Sequence, residues 1–133
     1  MSEYRLPIRV YIEDTDAGGI VYYVNYLKYF ERARTELIRS LGVAKTAVME
    51  DGSVFVVTSA AIDYHVPARL DDQLEAVAEV VGSGAATIEF KQAVVRSGTA
   101  LATGQVTVAL TDGSSGKPKR MPKGLRELLT QDA

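Results

Sequence analysis

The sequence predicts an α+β domain made of one strand, one long helix and then four further strands. Three observations carry that class. Between Tyr26 and Leu41 apolar residues recur with the period of a helix, and signals for both helix ends flank the run. From Val54 onward, β-branched runs and period-two alternation are cut by glycine-containing turns. A chain of 133 residues has room for one sizeable core, and no repeat, low-complexity run or Pro/Ser-rich linker divides it. Residues 1–133 are therefore read as one domain that ends in a basic tail, 117–133.

Each element has a local reason. Tyr4–Ile12 alternates loosely, as a strand does, and Pro7 puts that strand at a sheet edge. Glu13 to Gly19 is a polar, glycine-rich break. In the helix, Asn25 is the expected N-cap and Gly42 the expected C′ residue. Leu27, Phe30, Ala33, Leu37, Ile38 and Leu41 form its apolar face, and Arg32–Glu36 and Glu31–Arg34 can lace its exposed side. Val54–Val66, Leu74–Val81, Thr87–Arg96 and Ala100–Leu110 read as strands in antiparallel meander order, the last three joined at Gly82-Ser83-Gly84 and Ser97-Gly98. Asp112–Gly116 is a loop, and Leu125–Leu129 a short terminal helix. The one amphipathic helix is expected to pack on, and be wrapped by, the sheet's apolar face.

Composition narrows the function. Fifteen Lys+Arg against seventeen Asp+Glu leave a formal charge of -2, which gives no general attraction to nucleic acid or anionic membrane. With no cysteine, disulfides, thiol nucleophiles, Cys-ligated zinc and iron–sulfur clusters are excluded. The single histidine, His65, removes His-rich metal sites and leaves any Ser-His-Asp reading one candidate base. The N-terminus lacks a basic region ahead of an apolar core, and no apolar stretch approaches the roughly 20 residues of a membrane span. The expected address is the cytoplasm.

The informative segment is Glu13-Asp14-Thr15-Asp16-Ala17-Gly18-Gly19-Ile20-Val21-Tyr22-Tyr23-Val24-Asn25-Tyr26. Carboxylates at spacing two stand just ahead of a glycine pair and a helix start. Glycine lets backbone approach a ligand closely. A helix start offers unpaired N–H groups that can hold charge developing on a carbonyl oxygen. A carboxylate near such donors is half of an acyl-transfer site, able to activate water or to attack directly. The same residue types also build plain turns and caps.

The run from Val10 to Leu37, with Asp63–Asp72 and Glu89-Phe90-Lys91-Gln92 downstream, resembles the hotdog-fold acyl-CoA thioesterases of the YbgC and 4-hydroxybenzoyl-CoA thioesterase family. The likeness spans about residues 6 to 111. It implies a hotdog fold, an antiparallel sheet of five or six strands wrapped around one long central helix, and a thioester hydrolase working without metal or cofactor. It implies that Asp16 is the catalytic aspartate, as nucleophile or general base, and that the Tyr23 backbone N–H polarises the thioester carbonyl. Gly18 and Gly19 would shape the loop, and Asn25 and Tyr26 would fix the helix start within the substrate site. The implied substrate is a short-chain or aromatic acyl-CoA, or an acyl group on acyl carrier protein. The implied assembly is a homodimer with interfacial sites, doubled to a homotetramer in many relatives.

Two departures stand out. Tyr23 occupies a position where YbgC-type sequences usually carry His and the 4-hydroxybenzoyl branch carries Tyr, which leaves the acyl group open. The turn Gly82–Ala86 has none of the basic residues with which that branch grips CoA phosphates. The replacement is Lys117-Pro118-Lys119-Arg120-Met121-Pro122-Lys123, a basic stretch in which Lys117, Lys119 and Arg120 are the candidate phosphate ligands; a solvated tail has the same composition.

Among the remaining groups, Tyr22, Tyr23, Tyr26 and Tyr29 form an aromatic cluster suited to an acyl pocket or to a core. His65 is read as structural, Glu13 and Asp14 as solvated or capping, Asp71 and Asp72 as ending a turn. Glu31 is a candidate for the pocket wall, and Ser59 has no neighbouring base. Two other functions fit the same fold. A hotdog dehydratase needs a histidine that the helix-start segment lacks. A non-catalytic acyl- or acyl-carrier-protein-binding scaffold would not need Asp16.

Overall fold

The computed structural model describes residues 2–43, 49 and 51–130. Its elements are β1 (Glu3–Arg9), a 3-10 turn (Ile12–Asp14), α1 (Asn25–Ser40), β2 (Ser53–Tyr64), β3 (Gln73–Ser83), β4 (Thr87–Arg96), β5 (Thr99–Asp112) and α2 (Lys123–Thr130). The five strands form one antiparallel sheet in the order β1-β3-β4-β5-β2. This is the hotdog arrangement, with α1 packed chiefly on β3, β1 and β4. Pro7 lies on edge strand β1, where a missing N–H is tolerated. Ser97 and Gly98 both have positive φ, as the tight hairpin between β4 and β5 requires.

The meander expected of the last four strands holds only for β3, β4 and β5. β2 crosses to the far edge and pairs with β5, from Ser53↔Asp112 to Tyr64↔Ala102. The cause lies in the connection after β2. His65 and Val66 donate to Leu101 O, and the chain then turns to Val10, whose carbonyl accepts from Asp71 N–H and whose N–H donates to Asp72 O. β3 therefore starts beside β1. The first strand also ends at Arg9, not Ile12, because the Ile12–Asp14 turn begins there.

Helix α1 buries Tyr26, Tyr29, Phe30, Ala33, Leu37 and Ile38. Tyr26 and Tyr29 take the place expected for Leu27, which is more than a third exposed. Leu27 lies on the helix flank toward β2, and the sheet does not curl over that flank. The helix start also differs from expectation. Val24 is the N-cap and makes no side-chain cap bond, and Asn25 is the first helical residue with its amide turned elsewhere. Gly42, at φ +95°, follows the C-cap as expected. The expected surface pairs are replaced: Glu36 pairs with Arg39, Arg32 lies over the Tyr29 ring, and Arg34 is turned inward.

Buried Arg34 donates to Gln92 Oε1 at 2.9 Å, and Gln92 Nε2 donates to Phe30 O at 2.9 Å. Burial pulls the Arg34 pKa down from its ordinary value, opposed by nearby Glu31. Gly104 of β5 faces Phe30. A Cβ there would lie 2.4 Å from Ala61 O and 2.8 Å from the Phe30 ring. Gly104→Ala is thus expected to lower stability by about 1–3 kcal/mol, read as a lower urea midpoint, because a backbone carbonyl cannot move aside.

One ion pair fixes the loop between β2 and β3. Burial alone would raise the Asp72 pKa, but bonds from Arg69 N–H at 2.8 Å and Arg96 Nη1 at 2.6 Å outweigh it and hold it below the usual carboxylate range. A depressed folded pKa stabilises above the unfolded value and loses that contribution as pH falls through the folded one. Asp72→Asn should therefore cost roughly 1 kcal/mol at pH 7, and the deficit should shrink as pH drops below about 4. Urea melts of both proteins across that range check it.

The basic stretch runs back along the sheet. Pro118 bridges Thr111, Lys119 N–H donates to Leu110 O and Met121 N–H to Ala85 O. Met121, Leu125 and Leu129 then join the core.

Candidate active site

Between the 3-10 turn and α1 the chain folds back on itself in a short hairpin. Thr15 bridges Val21, Tyr22 N–H donates to Asp14 O, and Asp16 N–H donates to Ile20 O. Val21 points into the core, so Asp16 stays on the open side. Gly18 N–H donates to Asp16 Oδ1 at 2.8 Å and Gly19 N–H to Asp16 O at 3.1 Å. The glycines are needed there. A side chain on residue 18 would crowd that carboxylate oxygen at 3.3 Å, and residue 19 sits at φ +76°. The turn is stitched to the next loop by Ile20↔Arg69 and by Val21 N–H on Ala68 O. One oxygen of Asp16 is thereby held, and among the described residues the other accepts nothing.

The hairpin leads directly into the helix start. Tyr23 and Val24 donate no hydrogen bond from their N–H groups among the described residues, while Asn25, Tyr26 and Leu27 N–H already bond to Tyr22, Tyr23 and Val24 carbonyls. Those three bonds each span three residues, a tight turn that extends the helix back to Tyr22, and the Tyr23 and Val24 N–H groups are the donors it leaves free. Asp16 and the Tyr23 N–H thus flank one turn: a carboxylate and a donor able to stabilise an oxyanion.

Two hollows lie at the helix start, one bordered by Tyr23 and the other by Val24. One of about 200 Å³ is walled by Val21, Tyr23, Tyr26, Tyr64, Val66 and Pro67. Tyr64 and Tyr26 meet edge to face at 5.3 Å, Tyr64 and Tyr23 at 6.1 Å, and the Tyr64 hydroxyl donates to Tyr23 O at 3.0 Å. Burial, with Tyr23 and Tyr26 nearby, raises the Tyr64 pKa. The other, about 400 Å³, runs along the α1 flank past Val24, Leu27, Glu31, Arg34, Val57 and Val106.

The candidate residues separate accordingly. Asp16, Gly18, Gly19, Tyr22 and Tyr23 stand together at the open hairpin. Tyr26 shows its ring to the smaller hollow, but its hydroxyl accepts from Ala68 N–H at 3.0 Å. Asn25 is buried and its amide donates to Asp14 O at 2.8 Å. Glu31 does border the larger groove. Lys119 is held by Asp51 at 2.9 Å and Ser53 at 2.8 Å, and the Lys119 bond pushes the Asp51 pKa well below the carboxylate range. Lys117 and Arg120 are exposed. This basic end adjoins the start of β2, whereas Tyr23 adjoins its end at Tyr64, so roughly 35 Å of strand separates them within one chain. His65 bonds to Thr103 Oγ1 at 2.8 Å. Tyr64 carries only one signal in the sequence, an aromatic ring three places before Pro67.

A five-stranded antiparallel sheet packed on one long helix is the hotdog fold. The family model of the thioesterase-like superfamily matches residues 10–129. The acyl-CoA thioesterase YbgC of Haemophilus influenzae is 44% identical over 124 residues, covering 92% of this chain and 91% of that protein. The acyl-CoA thioester hydrolase YbgC of Escherichia coli O6:H1 is 40% identical over 123 residues, covering 92% of each. A probable thioesterase from Bartonella henselae, known by crystal structure, superposes with a TM-score of 0.81 at 32% identity, covering 92% of this chain and 100% of that one. The chain belongs to the thioesterase-like superfamily. No helix among the described residues is long and apolar enough to cross a membrane.

Proposed function

We propose that the protein is an acyl-CoA thioesterase that hydrolyses a short-chain or aromatic acyl-CoA to the free acid and CoA in the cytoplasm. The observation that carries this reading is the unpaired Tyr23 N–H at the helix start, beside the Asp16 turn and the aromatic hollow. The thioester oxygen takes the Tyr23 N–H, and Asp16 acts at the carbonyl carbon. As general base it takes a proton from the attacking water, and as nucleophile it forms an anhydride that water then cleaves. Either way CoA leaves as its thiol once protonated. The hollow of about 200 Å³ is small beside the ~300–1,000 Å³ of drug-sized sites, which favours a short or aromatic acyl group.

In this reading the working unit is a dimer, with doubling to a tetramer open. β2 is a long edge strand whose Val56 and Val57 are nearly half exposed, a ladder edge that soluble proteins rarely leave bare. Antiparallel self-pairing of β2 sets the start of one copy's strand beside the end of the other's. The second copy's Lys117 and Arg120 then approach the Asp16 end, where CoA phosphates need cations. Lys119, already paired with Asp51, has a weaker claim to that role.

Thiol release from acetyl- through palmitoyl-CoA, benzoyl-CoA and 4-hydroxybenzoyl-CoA tests the reading, with the same acyl groups on acyl carrier protein as a second arm. Turnover is expected on the shorter and aromatic CoA esters. Turnover confined to acyl carrier protein would replace the carrier, and none in either arm would overturn the reading.

A further inference from the structure

We propose that Asn25 is a positioning residue whose side-chain amide sets where Asp16 stands relative to the free N–H of Tyr23. The inference rests on the reading of those two groups as the reacting pair.

Asn25 is 9% exposed, and its amide points away from solvent and from both hollows. Asn25 Nδ2 donates to Asp14 O at 2.8 Å, and Tyr22 N–H donates to the same oxygen at 2.9 Å. One carbonyl, two residues before Asp16, is thus gripped from both sides of Tyr23: by the residue before it and by the residue two after. The rest of the loop transmits that grip. Asp14 Oδ2 accepts Tyr11 N–H at 2.9 Å, and Asp16 N–H closes on Ile20 O at 2.9 Å. The Asn25 side chain has no capping duty that would account for it, since the N-cap is Val24 and the helix makes no side-chain cap bond.

A neighbouring group explains why losing the grip would misplace the loop and not merely loosen it. The Tyr29 hydroxyl is buried with no hydrogen-bond partner among the described residues. Burial and the nearby Asp14 carboxylate push its pKa up. A buried donor without a partner is costly. The Tyr29 hydroxyl already lies close to the Asp14 carboxylate, so an Asp14 backbone released from Asn25 can shift to tighten that contact, and Asp16 would move with Asp14. Displacement of a reacting group by about 1 Å can cost on the order of 10²-fold in rate.

Two substitutions test this. Asn25→Asp keeps the shape and withdraws the N–H. Asn25→Ser keeps a small polar side chain but is too short to reach Asp14. Steady-state thiol release from propionyl-CoA and benzoyl-CoA should show kcat lower by about 10–100-fold in both, with KM within about threefold of wild type. The serine change made in an Asp16→Asn background should cost less than about twofold more, because Asn25 acts through Asp16. A loss of equal size in both backgrounds, or a kcat within twofold of wild type in either single variant, would overturn the proposal. A wild type that releases no thiol from either ester, or from the wider panel, overturns the thioesterase reading itself, and this inference falls with it.

Discussion

Asp16→Asn is expected to lower kcat for thioester hydrolysis by about 10²–10⁴-fold, the range that positioned base catalysis supplies. The substitution is selective. An asparagine oxygen still accepts the Gly18 N–H that holds Asp16 Oδ1, so the hairpin keeps its shape. Only the charge and the basic oxygen go. The side chain is exposed, so stability should change by less than about 0.5 kcal/mol. KM should stay within a few-fold, since the oxyanion donor and the hollow are untouched. Thiol-release kinetics and a thermal melt on the same preparations separate loss of chemistry from loss of fold. A variant that keeps its rate would leave the carboxylate without a role.

The largest stability effect is expected at the other end of the helix packing. Gln92→Leu removes the oxygen that Arg34 Nη1 bonds and the N–H that Phe30 O accepts. Stranding a buried cation costs on the order of 3–5 kcal/mol. The Arg34 flank opens on the groove, where solvent can reach it, so roughly 3 kcal/mol is expected, at the lower end of that range. At this chain length that is a midpoint lower by roughly 10–15 °C. The double variant Arg34→Met/Gln92→Leu should recover most of the loss, because apolar replacement of both partners leaves no buried charge unpaired and the Phe30 carbonyl keeps its helical bond. Chemical denaturation of the wild type, both singles and the double gives the coupling directly. Additive losses would show that Gln92 serves packing and not Arg34.

What the sequence made legible was what is local. The Asp16 turn could be anticipated because its determinants lie within four residues: a carboxylate that accepts the N–H two places on, and a glycine at positive φ. Helix α1 was legible from its period and from Gly42. Features set by distant residues were not. Asn25 reads as an N-cap by type, yet its amide answers to a carbonyl eleven positions earlier. Lys119 reads as a free cation, yet Asp51, 68 positions away, holds it. Leu27 fits the apolar face by angle, but the sheet leaves that flank open. The β2 crossover is likewise a matter of which edge a strand meets, and hydrophobic alternation carries no such information. The basic tail had the right chemistry for phosphate. Only the fold reveals that it lies beside the start of β2, at the opposite end of that strand from Tyr23.

The central claim is that Asp16 and the Tyr23 N–H act on one carbonyl. The most direct measurement is a crystal structure of the Asp16→Asn protein with benzoyl-CoA bound. The thioester oxygen is expected about 3 Å from Tyr23 N, with the carbonyl carbon facing residue 16 and the ring among Tyr23, Tyr26 and Tyr64. A thioester held elsewhere, with the Tyr23 N–H still unpaired, would contradict it.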